Sequence, residues 1–258
     1  MTGDRGPGKV HLVGTGPGTP DLLTVRAAKL LRNADVALYD SLVSPEILAL
    51  LPETARKIHV GKRRSRHTLP QDDINHLMIE LARKGARVLR LKGGDPFLFG
   101  RGGEEAEALA AAGVPFEVVP GITAAVGVAA SARIPLTHRA LAQSCTFVTG
   151  NLRDGTMNLD WPLLARARQT VAVYMGLMGL PVLCAKLIEH GRSPDTPAAI
   201  VQQGTTPQER IVIGSVATLP AMAEAAGLRA PTLILIGEVV ALRDALSPDA
   251  DGHVDTVS

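Results

Sequence analysis

Residues 88–105 read VLRLKGGDPFLFGRGGEE, and this is the most informative segment of the chain. A short apolar run, Val88–Leu91, is followed by a loop with five glycines in the eleven residues from Gly93 to Gly103, and then by an Ala- and Glu-rich segment near Glu104–Ala112. The order of strand, glycine-rich turn and helix is that of a βα unit. Ligands of α/β proteins bind at the carboxyl ends of the strands, so the segment also predicts a binding loop.

The same alternation extends in both directions along the chain. Short apolar runs of strand length occur at 10–13, 36–39, 58–60 and 116–119, and helical spacing occurs at 22–32, 71–84 and 122–132. Apolar runs that alternate with helices of about ten residues predict βα units and a largely parallel sheet.

A break near Thr137–Gln143 separates this region from a second group of elements. Strands are predicted at 146–149, 171–175, 199–202, 210–213 and 233–236, and helices at 182–189 and 216–226. The two strands around Gly204–Glu209 predict a hairpin, which makes the second sheet mixed. We therefore predict an N-terminal α/β lobe at 9–139 and a C-terminal α/β lobe at 144–246 with a cofactor cleft between them, and flexible tails at 1–8 and 247–258.

Composition excludes several classes of protein. The 258 residues are 46% apolar and 20% charged, which is enough for a large core and excludes disorder as the main state. The longest apolar stretch, near Pro231–Leu242, is too short for a membrane helix, and Met1–Lys9 lacks the apolar core of a signal peptide. A cytoplasmic protein without membrane contact is expected. Two cysteines make a disulfide scaffold and a Cys-based metal site improbable on composition.

Charge is unevenly distributed. Residues 1–139 carry 19 Lys and Arg against 14 Asp and Glu, a net +5, and the remainder carries 8 against 11, a net −3. A basic first half suits an anionic ligand, although ordinary surface solvation explains the same numbers. Aromatic residues make up only 3%, which argues against single-stranded nucleic acid as a partner.

Two loops and a basic run are candidates for ligand binding. Gly14–Gly18 reads GTGPG after the first strand, but Thr19 stands where a dinucleotide fingerprint needs its third glycine, which leaves a tight turn or another kind of ligand loop. In the loop after Leu91, the pair Phe97 and Phe99 argues against a floppy surface segment. The run GKRRSRH at 61–67 is either a solvated loop, a nucleic-acid patch or a clamp for carboxylate or phosphate groups.

Metal and hydrolase chemistry find no support in the sequence. The seven histidines do not combine with carboxylates at metal-ligand spacing, so we predict no metal site. No GxSxG element and no Cys–His pairing is present.

At these motifs the chain resembles the uroporphyrinogen-III C-methyltransferases of the tetrapyrrole methylase superfamily. The resemblance runs from about Val10 to Leu246. It rests on these segments: VGTGPGTPDLLT, YDSLVSPEI, VGKR, RLKGGDPFLFGRGGEE, VVPGITAA, IPLTHR, FVTGN, VYMG and VALRD.

The resemblance implies an activity, a cofactor and a set of site residues. The family methylates uroporphyrinogen III at two pyrrole carbons (C2 and C7) to give precorrin-2, with S-adenosylmethionine as donor and S-adenosylhomocysteine as product. It has two α/β lobes and forms homodimers. The implied cofactor-binding positions are Pro17, Gly93, Gly94, Asp95, Leu98, Thr123, Ala124, Met175 and Gly204. The implied acid/base pair is Asp40 and Lys62, and the implied substrate-binding residues are Arg101, Glu104 and Arg139.

Two departures from the family pattern bear on the substrate. Members often have Arg where this chain has Ser41, and His where it has Asn151. These differences put substrate binding in question more than cofactor binding. Alternatives on the same evidence are a later cobalamin-pathway methylase, an RNA ribose methylase, a dinucleotide oxidoreductase and a non-catalytic anion-binding module.

Overall fold

A computed structural model describes residues 8–61, 69–151 and 156–247. The chain divides into two compact units between Thr123 and Ala124. The first unit therefore ends with Thr123, and the second begins with Ala124.

The first unit alternates five strands with helices. Its strands are β1 (Val10–Gly14), β2 (Val36–Tyr39), β3 (Arg56–His59), β4 (Val88–Lys92) and β5 (Phe116–Val119). Its α-helices are α1 (Val25–Leu31), α2 (Pro45–Leu48), α3 (Gln71–Arg83) and α4 (Gly102–Ala111). A 3-10 turn at Pro20–Leu22 precedes α1.

All pairs in this first sheet are parallel, in the order β3-β2-β4-β1-β5. One face packs on α3 and α4 through residues such as Leu38, Met78 and Leu109. The other packs on α1 and α2 through residues such as Leu31 and Leu91. Because both faces are covered, the inner strands β1, β2 and β4 are largely apolar, which explains why they stood out in the sequence. The edge strand β3 is more polar and reads RKIH.

The second unit is built on a mixed sheet in the order β6-β7-β10-β8-β9. Its strands are β6 (Ser144–Thr149), β7 (Gln169–Tyr174), β8 (Pro197–Gln202), β9 (Arg210–Ser215) and β10 (Thr232–Ile236). Its α-helices are α5 (Ala124–Ser131), α6 (Trp161–Leu164), α7 (Leu180–Glu189), α8 (Leu219–Ala225) and α9 (Leu242–Leu246), and a 3-10 turn covers Glu238–Ala241. β8 and β9 form the predicted antiparallel hairpin.

The predicted fold class is confirmed as two α/β units, and each predicted strand is present in the described residues. The pattern did not predict the short helices α2, α6 and α9, because four or five residues are too few to establish a period.

The division between the units lies earlier than the predicted break near Thr137–Gln143. The reason is the packing of α5, whose Ala125, Val128 and Ala129 lie in one apolar cluster with Leu233 and Leu235 of β10. This helix was grouped with the first lobe because it follows β5 in the sequence. Of the predicted tails, residues 1–7 and 248–258 lie outside the described residues, whereas Gly8 donates a hydrogen bond to the Ala82 carbonyl and Ser247 is buried.

Candidate active site

The loops that follow β1, β4 and β5 meet at the carboxyl edge of the first sheet. The Gly16 amide donates to the Gly94 carbonyl over 3.2 Å, and the Gly94 amide donates to the Gly16 carbonyl over 2.7 Å. The Asp95 carboxylate joins the third loop, because its Oδ2 accepts from the Gly121 amide at 3.0 Å. The two glycine-rich motifs of the sequence are therefore parts of one structure.

Close backbone contact explains why glycine occupies these positions. A Cβ atom on Gly121 would lie 2.2 Å from the Gly94 carbonyl oxygen, and one on Gly14 would lie 2.5 Å from the Gly121 nitrogen. Neither position tolerates a side chain without a shift of backbone. The glycines thus set how closely the three loops approach, and they leave backbone amides and carbonyls at the edge where α/β proteins bind ligands.

Asp95 braces this edge with both of its carboxylate oxygens. In addition to the bond to Gly121, its Oδ1 accepts from the Phe97 amide at 2.8 Å. Pro17, Gly93 and Leu98 are half-buried in the same loops. The predicted cofactor residues of the first unit, Pro17, Gly93, Gly94, Asp95, Leu98 and Thr123, all lie in the loops after β1, β4 and β5.

The loop from Asp95 to α4 owes its shape to its backbone and not to apolar anchors. Phe97 is 59% exposed and Phe99 is 38% exposed, so neither ring anchors the loop by burial. Hydrogen bonds hold the loop instead, including one from the Gly102 amide to the Pro96 carbonyl. Phe99 and Arg101 adopt positive φ angles of 52° and 59°, which are strained for residues with a side chain and are common at functional sites.

Arg101 and Glu104 form an exposed pair at the start of α4. The guanidinium Nε donates to Glu104 Oε1 at 2.9 Å, and Nη2 donates to Oε2 at 2.5 Å. The guanidinium lowers the pKa of the Glu104 carboxyl through this hydrogen bond. Both groups are accessible to a ligand, as their predicted role in substrate binding requires.

Asp40 is the first residue after β2 and lies at the same edge of the sheet. Its Oδ1 accepts from the Leu42 amide at 3.0 Å, and its Oδ2 lies 3.7 Å from Nη2 of Arg90. The side chain is 25% exposed, so the Leu42 amide and Arg90 orient the carboxylate while part of it remains accessible to solvent.

A cluster of buried charges that was not predicted from the sequence lies beneath Asp40. Arg90 and Lys92 of β4 and Glu105 of α4 are each 4% exposed or less. A signal was available, because Val88, Arg90 and Lys92 alternate along β4 and must share a face of the sheet. Two cations in consecutive inward positions at the end of a buried strand require a partner carboxylate.

In the second unit, the strand ends of β7 and β8 carry the other predicted cofactor residues. Met175 follows β7 and is 52% exposed. Gly204 follows β8 and is so close to α5 that a Cβ would lie 2.6 Å from a Val128 methyl group. The Tyr174 hydroxyl accepts from the Ala125 amide at 2.9 Å, which fixes the start of α5, where Ala124 lies, against β7.

Backbone strain also concentrates at this edge of the second sheet. Met175, Gln203 and Thr205 have φ angles of 53°, 48° and 67°. Glu209 supports the strained loop, because its Oε2 accepts from the Thr205 amide at 2.7 Å and from the Ser131 hydroxyl at 2.6 Å. The Thr205 Oγ1 atom is buried and has no hydrogen-bond partner among the described residues.

The remaining predicted residues are separate from these groups or fall outside the description. Arg139 is exposed in the turn between His138 and Ala142 of the second unit. Lys62, the predicted partner of Asp40, lies outside the described residues together with most of the basic run. Ser41 and Asn151, which depart from the family pattern, are both exposed.

Within residues 8–61, 69–151 and 156–247, no group of three or more His, Cys, Asp or Glu side chains could hold a metal ion. Over the same ranges, no helix combines the length and hydropathy that crossing a bilayer requires.

Comparison with known proteins identifies the family. Residues 9–220 match the sequence profile of the tetrapyrrole (corrin/porphyrin) methylases. The chain belongs to this family. The same segment contains each of the glycine loops described above, so the edge of the first sheet and the strained loop after β8 belong to the tetrapyrrole methylase region.

Curated relatives of this tetrapyrrole methylase include siroheme synthases. It is 60% identical over 245 residues to that of Methylobacillus flagellatus and 61% identical over 240 residues to that of Azotobacter vinelandii. These alignments cover 95% and 93% of this chain and 52% of each relative. The chain therefore spans about half the length of the curated relatives that it matches.

Solved structures resemble the chain over nearly its whole length. Uroporphyrin-III C-methyltransferase from Thermus thermophilus, in complex with S-adenosylhomocysteine, is 42% identical with a TM-score of 0.78. That match covers 91% of this chain and 100% of the Thermus chain. A cobalt precorrin-4 methyltransferase is 32% identical with a TM-score of 0.81, and the match covers 90% of this chain and 95% of that one.

Proposed function

We propose that this tetrapyrrole methylase transfers methyl groups from S-adenosylmethionine to two pyrrole carbons of uroporphyrinogen III and so forms precorrin-2. The observation that carries the proposal is a carboxylate with one quarter of its side chain exposed, Asp40, beside the glycine loops of one sheet edge. It occurs in a chain that is 42% identical over the full length of a uroporphyrin-III C-methyltransferase. Similarity to siroheme synthases supports a place in sirohaem-type tetrapyrrole synthesis.

The residues present fit S-adenosylmethionine. The loops of Gly93–Asp95 and Pro17 offer backbone groups at a strand edge. The second unit offers the strained backbone of Met175 and the loop in which Gln203 and Thr205, both at positive φ, flank Gly204. The Thr205 hydroxyl in this loop has no hydrogen-bond partner among the described residues. Thr123, Ala124 and Leu98 complete the proposed set. When bound, the sulfonium of this donor supplies an activated methyl group, and its sulfur keeps the electron pair of the broken bond.

The protein contributes orientation and proton transfer. Rigid loops that hold donor and acceptor in line make the encounter effectively unimolecular, which accounts for much of the rate of such reactions. A pyrrole carbon that gains a methyl group leaves a cationic ring, and the role proposed for Asp40 is to accept the proton that the ring then loses. Lys62 is the proposed partner of Asp40 in this step.

Substrate recognition rests on charge. Uroporphyrinogen III carries several carboxylates, and guanidinium groups bind carboxylates in a bidentate manner. Arg101, oriented by Glu104, and Arg139 are the proposed contacts, and the net +5 of residues 1–139 attracts such a polyanion. A homodimer in the cytoplasm remains part of the proposal.

An anaerobic assay with uroporphyrinogen III and isotopically labelled S-adenosylmethionine, read by mass spectrometry, tests the proposal. Two labelled methyl groups on one tetrapyrrole are expected. If the protein binds S-adenosylhomocysteine but transfers nothing to uroporphyrinogen III, the acceptor is wrong, and other tetrapyrroles such as precorrin-4 are the next to assay.

A further inference from the structure

A layer of buried charge lies between the carboxyl end of β4 and the starts of α3 and α4. Glu105 Oε1 accepts from three donors: Arg90 Nε at 2.9 Å, Lys92 Nζ at 3.1 Å and Gln71 Nε2 at 3.2 Å. Glu105 itself is fully buried. This polar layer interrupts the apolar face that Val88 and Leu38 share with Met78 of α3.

Three contacts fix the guanidinium of Arg90 in one position. Nε is bound to Glu105, Nη1 donates to the Leu91 carbonyl at 2.8 Å, and Nη2 lies 3.7 Å from Asp40 Oδ2. Arg90 is therefore the physical link between the buried Glu105 and the partly exposed Asp40.

The charges of this layer balance only if Asp40 is included. Arg90 and Lys92 are two cations, while Glu105 is one buried carboxylate, and Asp40 supplies the second. Glu104 contributes a further, exposed negative charge near Lys92. An uncompensated cation in so buried a site is energetically costly. The cluster of Arg90, Lys92 and Glu105 and the Asp40 carboxylate therefore stabilise each other.

The behaviour of the Lys92 ammonium reports on this balance. Burial lowers its pKa, and the neighbouring charge of Arg90 lowers it further. The carboxylates of Glu105 and Asp40 act in the opposite direction. Loss of either carboxylate must therefore lower the pKa of Lys92 more.

We infer that Glu105 and Lys92 are positioning residues, a buried charge pair that fixes Arg90 against Asp40 and so holds the Asp40 carboxylate in one orientation. The catalytic consequence rests on the proposed role of Asp40, but the electrostatic link does not. It can be measured in the protein without substrate.

The first measurement is a carbon-13 NMR titration of protein labelled at the lysine ε-carbons. The Lys92 signal is assigned by its loss in Lys92→Met. In Glu105→Gln, which preserves size and removes the charge, Lys92 should lose its proton about one pH unit or more below wild type. Glu107→Gln is the matched control, because it is the same substitution on an exposed position of α4, and it should leave the titration unchanged.

Asp40→Asn tests the same electrostatic link at its partly exposed end, where a substitution is less destabilising than at the fully buried Glu105. It should also lower the pH at which Lys92 titrates, because Asp40 opposes the effect of burial. If Lys92 titrates as in wild type in Asp40→Asn and in any folded Glu105→Gln protein, the inference is overturned.

Charge restoration gives a second readout that a merely structural role would not produce. Glu105→Gln leaves an excess cation, and the double variant Glu105→Gln with Lys92→Met removes it. We expect the kcat of the double variant to be at least about threefold higher than the kcat of Glu105→Gln. Losses of kcat that are strictly additive would contradict the inference. If the variants shift the pH at which Lys92 titrates as expected but the wild-type protein does not methylate uroporphyrinogen III, the charge network is confirmed and the proposed acceptor is wrong.

Discussion

Asp40 combines two properties that a catalytic carboxylate needs. It accepts a hydrogen bond from the Leu42 amide and lies beside the Arg90 guanidinium, and one quarter of its side chain is accessible to a ligand. The Arg101 side chain, in contrast, is exposed, and its guanidinium pairs with Glu104. The two residues therefore predict different consequences when they are replaced.

Asp40→Asn should reduce turnover far more than it weakens binding of the cofactor. The amide keeps the shape of the carboxylate but cannot accept a proton, and loss of a general base costs about 100-fold or more in rate. Steady-state kcat and calorimetric titration with S-adenosylhomocysteine give the two quantities. Wild-type turnover in a folded Asp40→Asn protein would remove Asp40 from the mechanism.

Arg101→Ala should lower kcat/KM for uroporphyrinogen III by at least about tenfold, because a charge-assisted bidentate contact with a carboxylate is lost. Arg101→Lys keeps the charge and should retain an intermediate value. Arg101→Gly serves as the backbone control, since glycine accepts the positive φ at this position. If Arg101→Ala has normal kcat/KM, Arg101 is only the residue that starts α4.

At the scale of the elements, glycine residues determine how closely neighbouring loops approach one another. Gly14 ends β1 and Gly121 follows β5, and at both positions a Cβ atom would lie 2.5 Å or less from the backbone of another loop. For Gly121 that backbone atom is the carbonyl oxygen of Gly94, in the loop after β4. By contrast, Gly103 in the first turn of α4 has nothing within 4 Å of its would-be Cβ. The chain thus offers a matched pair of glycine-to-alanine substitutions.

Gly121→Ala should destabilise the protein by about 1–3 kcal/mol, the usual cost of forcing an extra group into a packed site. It should also weaken S-adenosylhomocysteine binding, because the loops after β4 and β5 must separate. Gly103→Ala should leave binding unchanged and stabilise α4 by up to about 1 kcal/mol. Chemical denaturation and calorimetry measure both effects, and equal behaviour of the two variants would show that the close approach at Gly121 is unimportant.

For the molecule as a whole, the family assignment adds to the arguments against a dinucleotide-binding function for the first loop. The spacing Gly14, Gly16 and Thr19 already argued against that function. The structure adds a physical reason, because Gly16 is paired with Gly94 through two backbone hydrogen bonds and so braces a neighbouring loop.

S-adenosylhomocysteine should therefore raise the melting temperature, and NADH should not. A ligand at 100 times its Kd adds about 2.7 kcal/mol to the free energy of unfolding. For a chain of this size each kcal/mol corresponds to about 2–4 °C. A thermal-shift series over ligand concentration tests this expectation, and stabilisation by NADH alone would reopen the dinucleotide hypothesis.

Local patterns in the sequence were sufficient to predict the strands, the fold class and the position of the glycine loops. Buried parallel strands such as β1 and β2 are short, largely apolar and bounded by turn residues, so local composition is sufficient to locate them. The resemblance in the motifs also pointed to the family, which the comparison confirms. The assigned roles of Asp40, Arg101 and the cofactor residues stay predictions.

Which residues contact one another depends on the packing of the helices and strands. Glu105 was passed over in favour of its neighbour Glu104, because a sequence does not state that one of two adjacent carboxylates is fully buried and the other half-exposed. The grouping of α5 with the second sheet and the exposure of Phe97 were missed for the same reason. Contacts between residues far apart in the chain depend on how the elements pack, and local sequence patterns carry no record of that packing.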